Sequence, residues 1–199
     1  LDLFRNDFKY FPENLSKLKQ LTYLDLSDLD LVQVPEFVYD LHKLDTLDLG
    51  YNDLTGLEEG LGNLKELIYL NLMFNNLQSL PKGIGKLAQL KELKLGWNYG
   101  LQEFPEEFGS LESLEILDFG GCDHEPCNGM VEIPASFLKL KNLKHIDFGW
   151  SAISSIPEGF KELKKLETFI IDGEFTEEEI QKIKERLSHV KTVKINEIY

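Results

Sequence analysis

The sequence predicts an α/β solenoid: a right-handed curved arc with a parallel β-sheet on its concave face and short helical or 3-10 turns on its convex face. A helix–strand cap is expected to close the C-terminal end. Three observations carry this reading. Leucines restart a common pattern at Leu21, Leu44, Leu67, Leu90, Leu114, Leu143 and Leu166, at intervals of 23, 23, 23, 24, 29 and 23 residues. Each restart opens a short LxL run of strand character. The last restart gives way to a segment with helix-capping signals. Periods of this length mark repeat architectures, in which each coil buries its apolar edge only against its neighbours.

The elements follow in chain order. A partial repeat over 1–20 enters mid-motif and is followed by repeats 21–43, 44–66, 67–89, 90–113, 114–142 and 143–165, with a terminal repeat and cap over 166–199, all in one domain. The LxL runs predict strands near 22–26, 45–49, 68–72, 91–95, 115–119, 144–148, 167–171 and 192–195, with leucines facing inward and the residues between them facing out. Asn6, Asn52, Asn75 and Asn98 sit where the chain leaves each strand, where an inward amide can satisfy backbone groups at a buried bend. Pro12, Pro35, Pro81, Pro105, Pro134 and Pro157 recur further on, and Glu58 takes that place once. At 175–187, FTEEEIQKIKERL offers Thr176 as N-cap with Glu179 three residues on, a capping box, and Phe175 with Ile180 as a hydrophobic staple. Val190, Val193 and Ile195 then restate the strand motif.

The unit LIYLNLMFNNLQSLPKGIGKLAQ, 67–89, resembles the leucine-rich repeat LxxLxLxxNxLxxLPxxoxxLxx, where o is apolar. The chain is similar to the short-repeat leucine-rich proteins of bacteria and to Ras-suppressor-like scaffolds. That resemblance implies a protein-interaction module whose concave face is the usual contact surface.

Composition narrows the partner. The 21 basic and 35 acidic residues give a net charge of −14, which repels phosphate backbones and anionic lipid and suits a basic protein or peptide. No apolar run approaches the roughly 20 residues of a membrane helix. The chain begins on Leu1 without a cap. Upstream residues in the natural protein, or self-association through that open repeat edge, are therefore expected.

The outward columns of the strands supply the candidate surface. Its middle column is acidic, with Asp48, Asp118 and Asp147 prominent; Tyr23, Tyr69 and His145 stand one column before it. A rim column holds Tyr51, Phe74, Trp97 and Trp150. Leucines already fill the core, so these aromatics lie outside it, and exposed aromatic clusters tend to mark contact surfaces. The acidic column also has a plainer reading, as a solvated face. Trp97 and Trp150 hold the same rim position two repeats apart, so their rings are expected about 10 Å from each other. Gly121 lies between them, and Gly96, Gly120 and Gly149 remove side chains from the column beside, so a shallow cleft is expected, floored by Asp118 and Asp147, overhung by the 122–130 loop and suited to an arginine or lysine.

CDHEPC, 122–127, reads as an inserted loop in the sixth unit, with Cys122 at the asparagine position. Three readings stay open: free cysteines, a local Cys122–Cys127 disulfide, or a metal site. Zinc wants four strong ligands, and the loop offers only Cys122, His124 and Cys127, so no bound metal or cofactor is expected. GLG (60–62) and GIG (83–85) fall on convex coils, outside a strand–helix phosphate loop. His145 near Asp118 and Asp147 lacks an outward nucleophile, and no active site assembles. The expected function is non-enzymatic binding of a protein or peptide with basic and apolar features. The alternative is a recognition domain of a larger signalling enzyme or ubiquitin ligase.

Overall fold

The computed structural model describes residues 1–6, 11–121, 132–151, 153 and 155–196. Eight parallel strands form one open sheet in chain order. They are β1 (Tyr23–Asp25), β2 (Thr46–Asp48), β3 (Tyr69–Asn71), β4 (Glu92–Lys94), β5 (Ile116–Asp118), β6 (His145–Phe148), β7 (Thr168–Asp172) and β8 (Thr192–Asn196). Each lies within a residue or so of its expected span. The register is one repeat per strand, so Asp25, Asp48, Asn71, Lys94, Asp118 and Asp147 stand side by side. Asp2 extends this row by an isolated bridge to Asp25. In β1 to β5 the central residue, Leu24, Leu47, Leu70, Leu93 or Leu117, is fully buried, and its two neighbours are more exposed.

Opposite the sheet, each repeat makes a five-residue 3-10 turn: Glu13–Lys17, Glu36–Asp40, Glu59–Asn63, Lys82–Lys86, Glu106–Ser110, Ala135–Lys139 and Glu158–Glu162. The LP prolines stand just before these turns. Their fixed φ suits the entry, their missing N–H costs nothing there, and each carbonyl accepts the first turn hydrogen bond, as in Val38 N–H to Pro35 at 3.0 Å.

The glycines of GLG and GIG have a packing role. A Cβ on Gly62 would lie 2.8 Å from the Gly83 carbonyl, and one on Gly85 only 2.3 Å from that of Glu107. Adjacent turns therefore touch backbone to backbone. The Glu59 carboxylate also accepts the N–H groups of Lys82 (3.0 Å) and Gly83 (2.7 Å), capping the next turn.

Glu58 replaces proline for a visible reason: its N–H donates to the hydroxyl of the buried Tyr39 at 3.3 Å, a bond proline could not make. Tyr39→Phe is expected to leave that N–H unpaired and lower stability by about 1–2 kcal/mol, measurable by urea unfolding.

At the C-terminal end, α1 (Glu177–Arg186) starts with the expected capping box: Glu179 N–H donates to Thr176 Oγ1, and Thr176 N–H to the Glu179 carboxylate. β8 then pairs with β7 and closes the last repeat. No helix among the described residues is long and apolar enough to cross a membrane.

The core changes character along the chain. Leucines dominate the first repeats, whereas Phe104, Phe108, Phe119, Phe137, Phe148, Phe160 and Phe169 interlock through the later ones, mostly edge to face.

Candidate functional site

The surface is built from the bend that ends each strand. The inward asparagine of the motif draws the chain down: Asn52 Nδ2 donates to the carbonyls of Leu49 (3.0 Å) and Leu26 (2.9 Å), and its Oδ1 accepts from the N–H of Leu31 (3.0 Å). Asn75 and Asn98 repeat these bonds, and Asn6 makes the local ones. Ser151 takes the position in 143–165, buried, with Oγ on the Phe148 carbonyl at 2.7 Å. The second repeat puts Leu29 there instead, and Asn52 reaches across to its N–H at 3.1 Å.

This inward turn fixes the residue before it. Arg5, Asp28, Tyr51, Phe74, Trp97 and Trp150 all have φ between 54° and 60°, the left-handed region. A side chain there costs about 1–2 kcal/mol relative to glycine's freedom. Three consecutive repeats nevertheless carry large aromatics at this place.

Their rings form a ladder. Tyr51 and Phe74 stack with centroids 4.2 Å apart at 12°, and Phe74 and Trp97 at 4.7 Å and 20°. The spacing is that of neighbouring strands, because the rungs hold one register position in adjacent repeats. Tyr51 is 55% exposed, while Phe74, Trp97 and Trp150 are half-buried. Beyond Tyr51 the column continues with Asp28, whose carboxylate is held by Arg5 at 2.7 Å.

At the other end Gly121 (φ 111°) interrupts the ladder, and a Cβ there would lie 2.3 Å from Trp97 Nε1. The indole thus leans into the space that a side chain at 121 would take.

The acidic column is partly structural. The Oδ1 of Asp25, Asp48, Asp118 and Asp147 each accepts the backbone N–H two residues on, at 2.8–3.2 Å, and Asn71 does the same for Met73. A side-chain acceptor thus holds the strand's exit, which accounts for the LD pairs. Their remaining partners differ. Tyr23 donates its hydroxyl to Asp25 at 3.2 Å, and Asn71 donates its amide to Asp48 at 2.9 Å. Lys94 lies 3.4 Å from Glu92 and stands over the Tyr69 ring at 5.6 Å. Asp118 and Asp147 are register partners, with His145 one column away.

Burial pushes the carboxyls of Asp48, Asp118 and Asp147 above the ordinary range. The charge of Asp147 adds to the effect on Asp118, and that of Asp172 to the effect on Asp147. A carboxyl raised in the folded state penalises folding once ionised. The penalty is complete above the folded value and vanishes below the unfolded one, 3.8. Asp118→Asn keeps an acceptor for Gly120 and is expected to raise the melting temperature at pH 7, with the gain fading as pH falls through the raised folded value and gone below 3.8. Thermal melts at several pH values would check this.

Of the residues singled out from the sequence, Tyr51, Phe74 and Trp97 come together, as do Asp118 and Asp147. Trp150 holds the rim beyond Gly121, and its N–H donates to Asp172 Oδ2 at 3.1 Å. Tyr23, Asp48, Tyr69 and His145 lie on the same face without joining either group. Cys122 and Cys127 lie outside the described residues. Among the described residues no group of three or more His, Cys, Asp or Glu is placed to hold a metal ion. Sequence reasoning missed two features: Asn71 as the partner of Asp48, and the Arg5–Asp28 pair that continues the rim.

Comparisons with known proteins agree with this geometry. A family model described as "Leucine-rich repeat region" matches residues 1–100. The structure of a leucine-rich-repeat protein of Leptospira interrogans superposes with a TM-score of 0.78 at 28% identity, covering 98% of this chain and 53% of that one. The chain therefore spans about half the length of that protein. No curated protein matches the sequence.

Proposed function

Because this chain belongs to the leucine-rich-repeat family, we propose that it is a non-enzymatic binding module for a protein or peptide with basic and apolar features, taken up on the concave sheet face and its aromatic rim. The observation that carries the proposal is the ladder of Tyr51, Phe74 and Trp97. Three large rings stand outside the leucine core at left-handed positions where glycine is easier. They stack on one another and present a pre-ordered apolar border beside the acidic column, and such rigidity lowers the entropy lost on binding. Tyr23, Asp48, Tyr69, Asp118, His145, Asp147 and Trp150 complete the proposed contact face. A repeat scaffold of this family typically binds proteins, and the net charge of −14 favours a basic one.

The test is alanine substitution against the native partner, once cross-linking and mass spectrometry have identified it. Trp97→Ala and Trp150→Ala are each expected to weaken binding by about 2 kcal/mol in calorimetry without unfolding the repeats. Wild-type affinity in both variants would move the functional face elsewhere.

A further inference from the structure

The aromatic ladder has a direction. Its rungs are apolar from Trp97 to Tyr51, and the rim turns acidic beyond the Tyr51 end. Asp30 and Asp53 hold one position in adjacent repeats, two residues past Asp28 and Tyr51. Asp53 accepts the neutral Asn76 amide at 3.2 Å, and neither carboxylate meets a cation among the described residues. The Asp28 carboxylate, by contrast, is already held by Arg5. Tyr51 is the most exposed of the three rungs, and its hydroxyl has no partner among the described residues.

Spacing and hydrogen-bonding capacity together select an occupant. Tyr51 and Trp97 stack on either side of Phe74, at 4.2 and 4.7 Å. They therefore lie about 9 Å apart, close to two strand spacings. A polyproline II helix brings the same face round every three residues, or about 9.3 Å. An extended strand repeats its face at about 6.8 Å and falls out of step with the rungs. An α-helix spends its carbonyls on itself, whereas polyproline II leaves them free for a donor such as the Tyr51 hydroxyl.

Resting on the reading that the rim takes a segment with basic and apolar features, we propose that it binds a proline-rich segment in the polyproline II form. Prolines three residues apart lie on Tyr51 and Trp97, with Phe74 between them. A lysine or arginine beyond the proline on Tyr51 reaches Asp30 and Asp53. Proline offers an apolar ring and no N–H that needs an acceptor, and its fixed φ leaves little freedom to lose on docking. Negative charge at one end only sets which way the segment lies.

The chain has two tryptophans, so a nitrogen-15 spectrum carries two indole N–H signals. Two acetylated, amidated peptides cover both chain directions: Arg-Ala-Pro-Pro-Ala-Pro-Ala and its reverse, Ala-Pro-Ala-Pro-Pro-Ala-Arg. The tighter of the two is expected to shift the Trp97 indole and the amides of Tyr51 and Asp53 saturably, and to leave the Trp150 indole in place. Replacing its prolines with glycine should weaken binding about tenfold. Replacing its arginine with glutamate should weaken it about fivefold at low salt. Tyr51→Gly should lower affinity about tenfold, and glycine adopts the φ of 54° freely, so the repeat keeps its fold. A glycine or glutamate peptide that binds as tightly as its parent would overturn the proposal. So would shifts centred on Asp118 and Asp147, or no saturable shift with either peptide. These outcomes leave the broader reading intact, since that is judged on Trp97→Ala and Trp150→Ala against the native partner.

Discussion

Asn98→Ala is expected to lower stability by about 4 kcal/mol, at about 1–3 kcal/mol for each buried polar group left unpaired. Asn98 is fully buried. Its Nδ2 donates to the carbonyls of Leu95 (2.8 Å) and Leu72 (2.9 Å), and its Oδ1 accepts the Leu77 N–H at 3.1 Å. One side chain therefore satisfies groups in two repeats, and water has no access to replace it. Asn98→Ser should fall between wild type and alanine, because a hydroxyl can still reach the carbonyl three residues back, as Ser151 does. Urea unfolding of the three proteins gives the order. The consequence for function is local: the same bend holds Trp97 at φ 60°. Losing the asparagine should broaden the Trp97 indole signal more than that of Trp150. Equal stability of the serine and alanine variants would mean that the hydrogen bonds are not what the position supplies.

Phe137→Ala should cost a comparable amount, about 3–5 kcal/mol, through a cavity rather than an unpaired group. The ring is fully buried and meets Phe108 at 4.9 Å, Phe104 at 5.0 Å and Phe148 at 6.2 Å. These neighbours lie in the repeats on either side of it. For a chain of this length the loss corresponds to roughly 6–20 °C in melting temperature. In a repeat protein each unit leans on its neighbours, so damage should spread outward from the lesion. Hydrogen exchange should accelerate first in 90–165 and reach β1 and β2 last. Phe137→Leu, which nearly refills the space, should recover most of the loss. Uniform acceleration along the chain would show that the repeats unfold as one cooperative block.

The architecture was legible in the residues because it is periodic. Leucine restarts, the asparagine column and the LP prolines each report a backbone event that recurs in every coil. Register in a parallel repeat sheet follows directly from repeat length, so Asp48 falls beside Asn71 and Asp118 beside Asp147 without any knowledge of side-chain contacts. The capping box at Thr176 was legible for the same reason, since both of its bonds are local in sequence. The identity of the outward columns, and hence the set of candidate contact residues, came with them.

Tertiary structure alone decided what those residues do to one another. The sequence placed Tyr51, Phe74 and Trp97 in one column, but only packing shows that the rings stack and that Trp97 leans over Gly121. Rotamers and left-handed φ values depend on neighbours a full repeat away. The aspartates read as a charged stripe, yet their first task is to hold the N–H two residues on, and Asn71, not a cation, is what occupies Asp48. Likewise Glu58 looked like a broken motif until the hydroxyl of Tyr39 came within 3.3 Å of its N–H. The physical reason is common to these cases. Periodicity fixes where each backbone bends, whereas hydrogen bonds and ring contacts between repeats depend on directions and distances of a few ångströms that no spacing along the chain encodes.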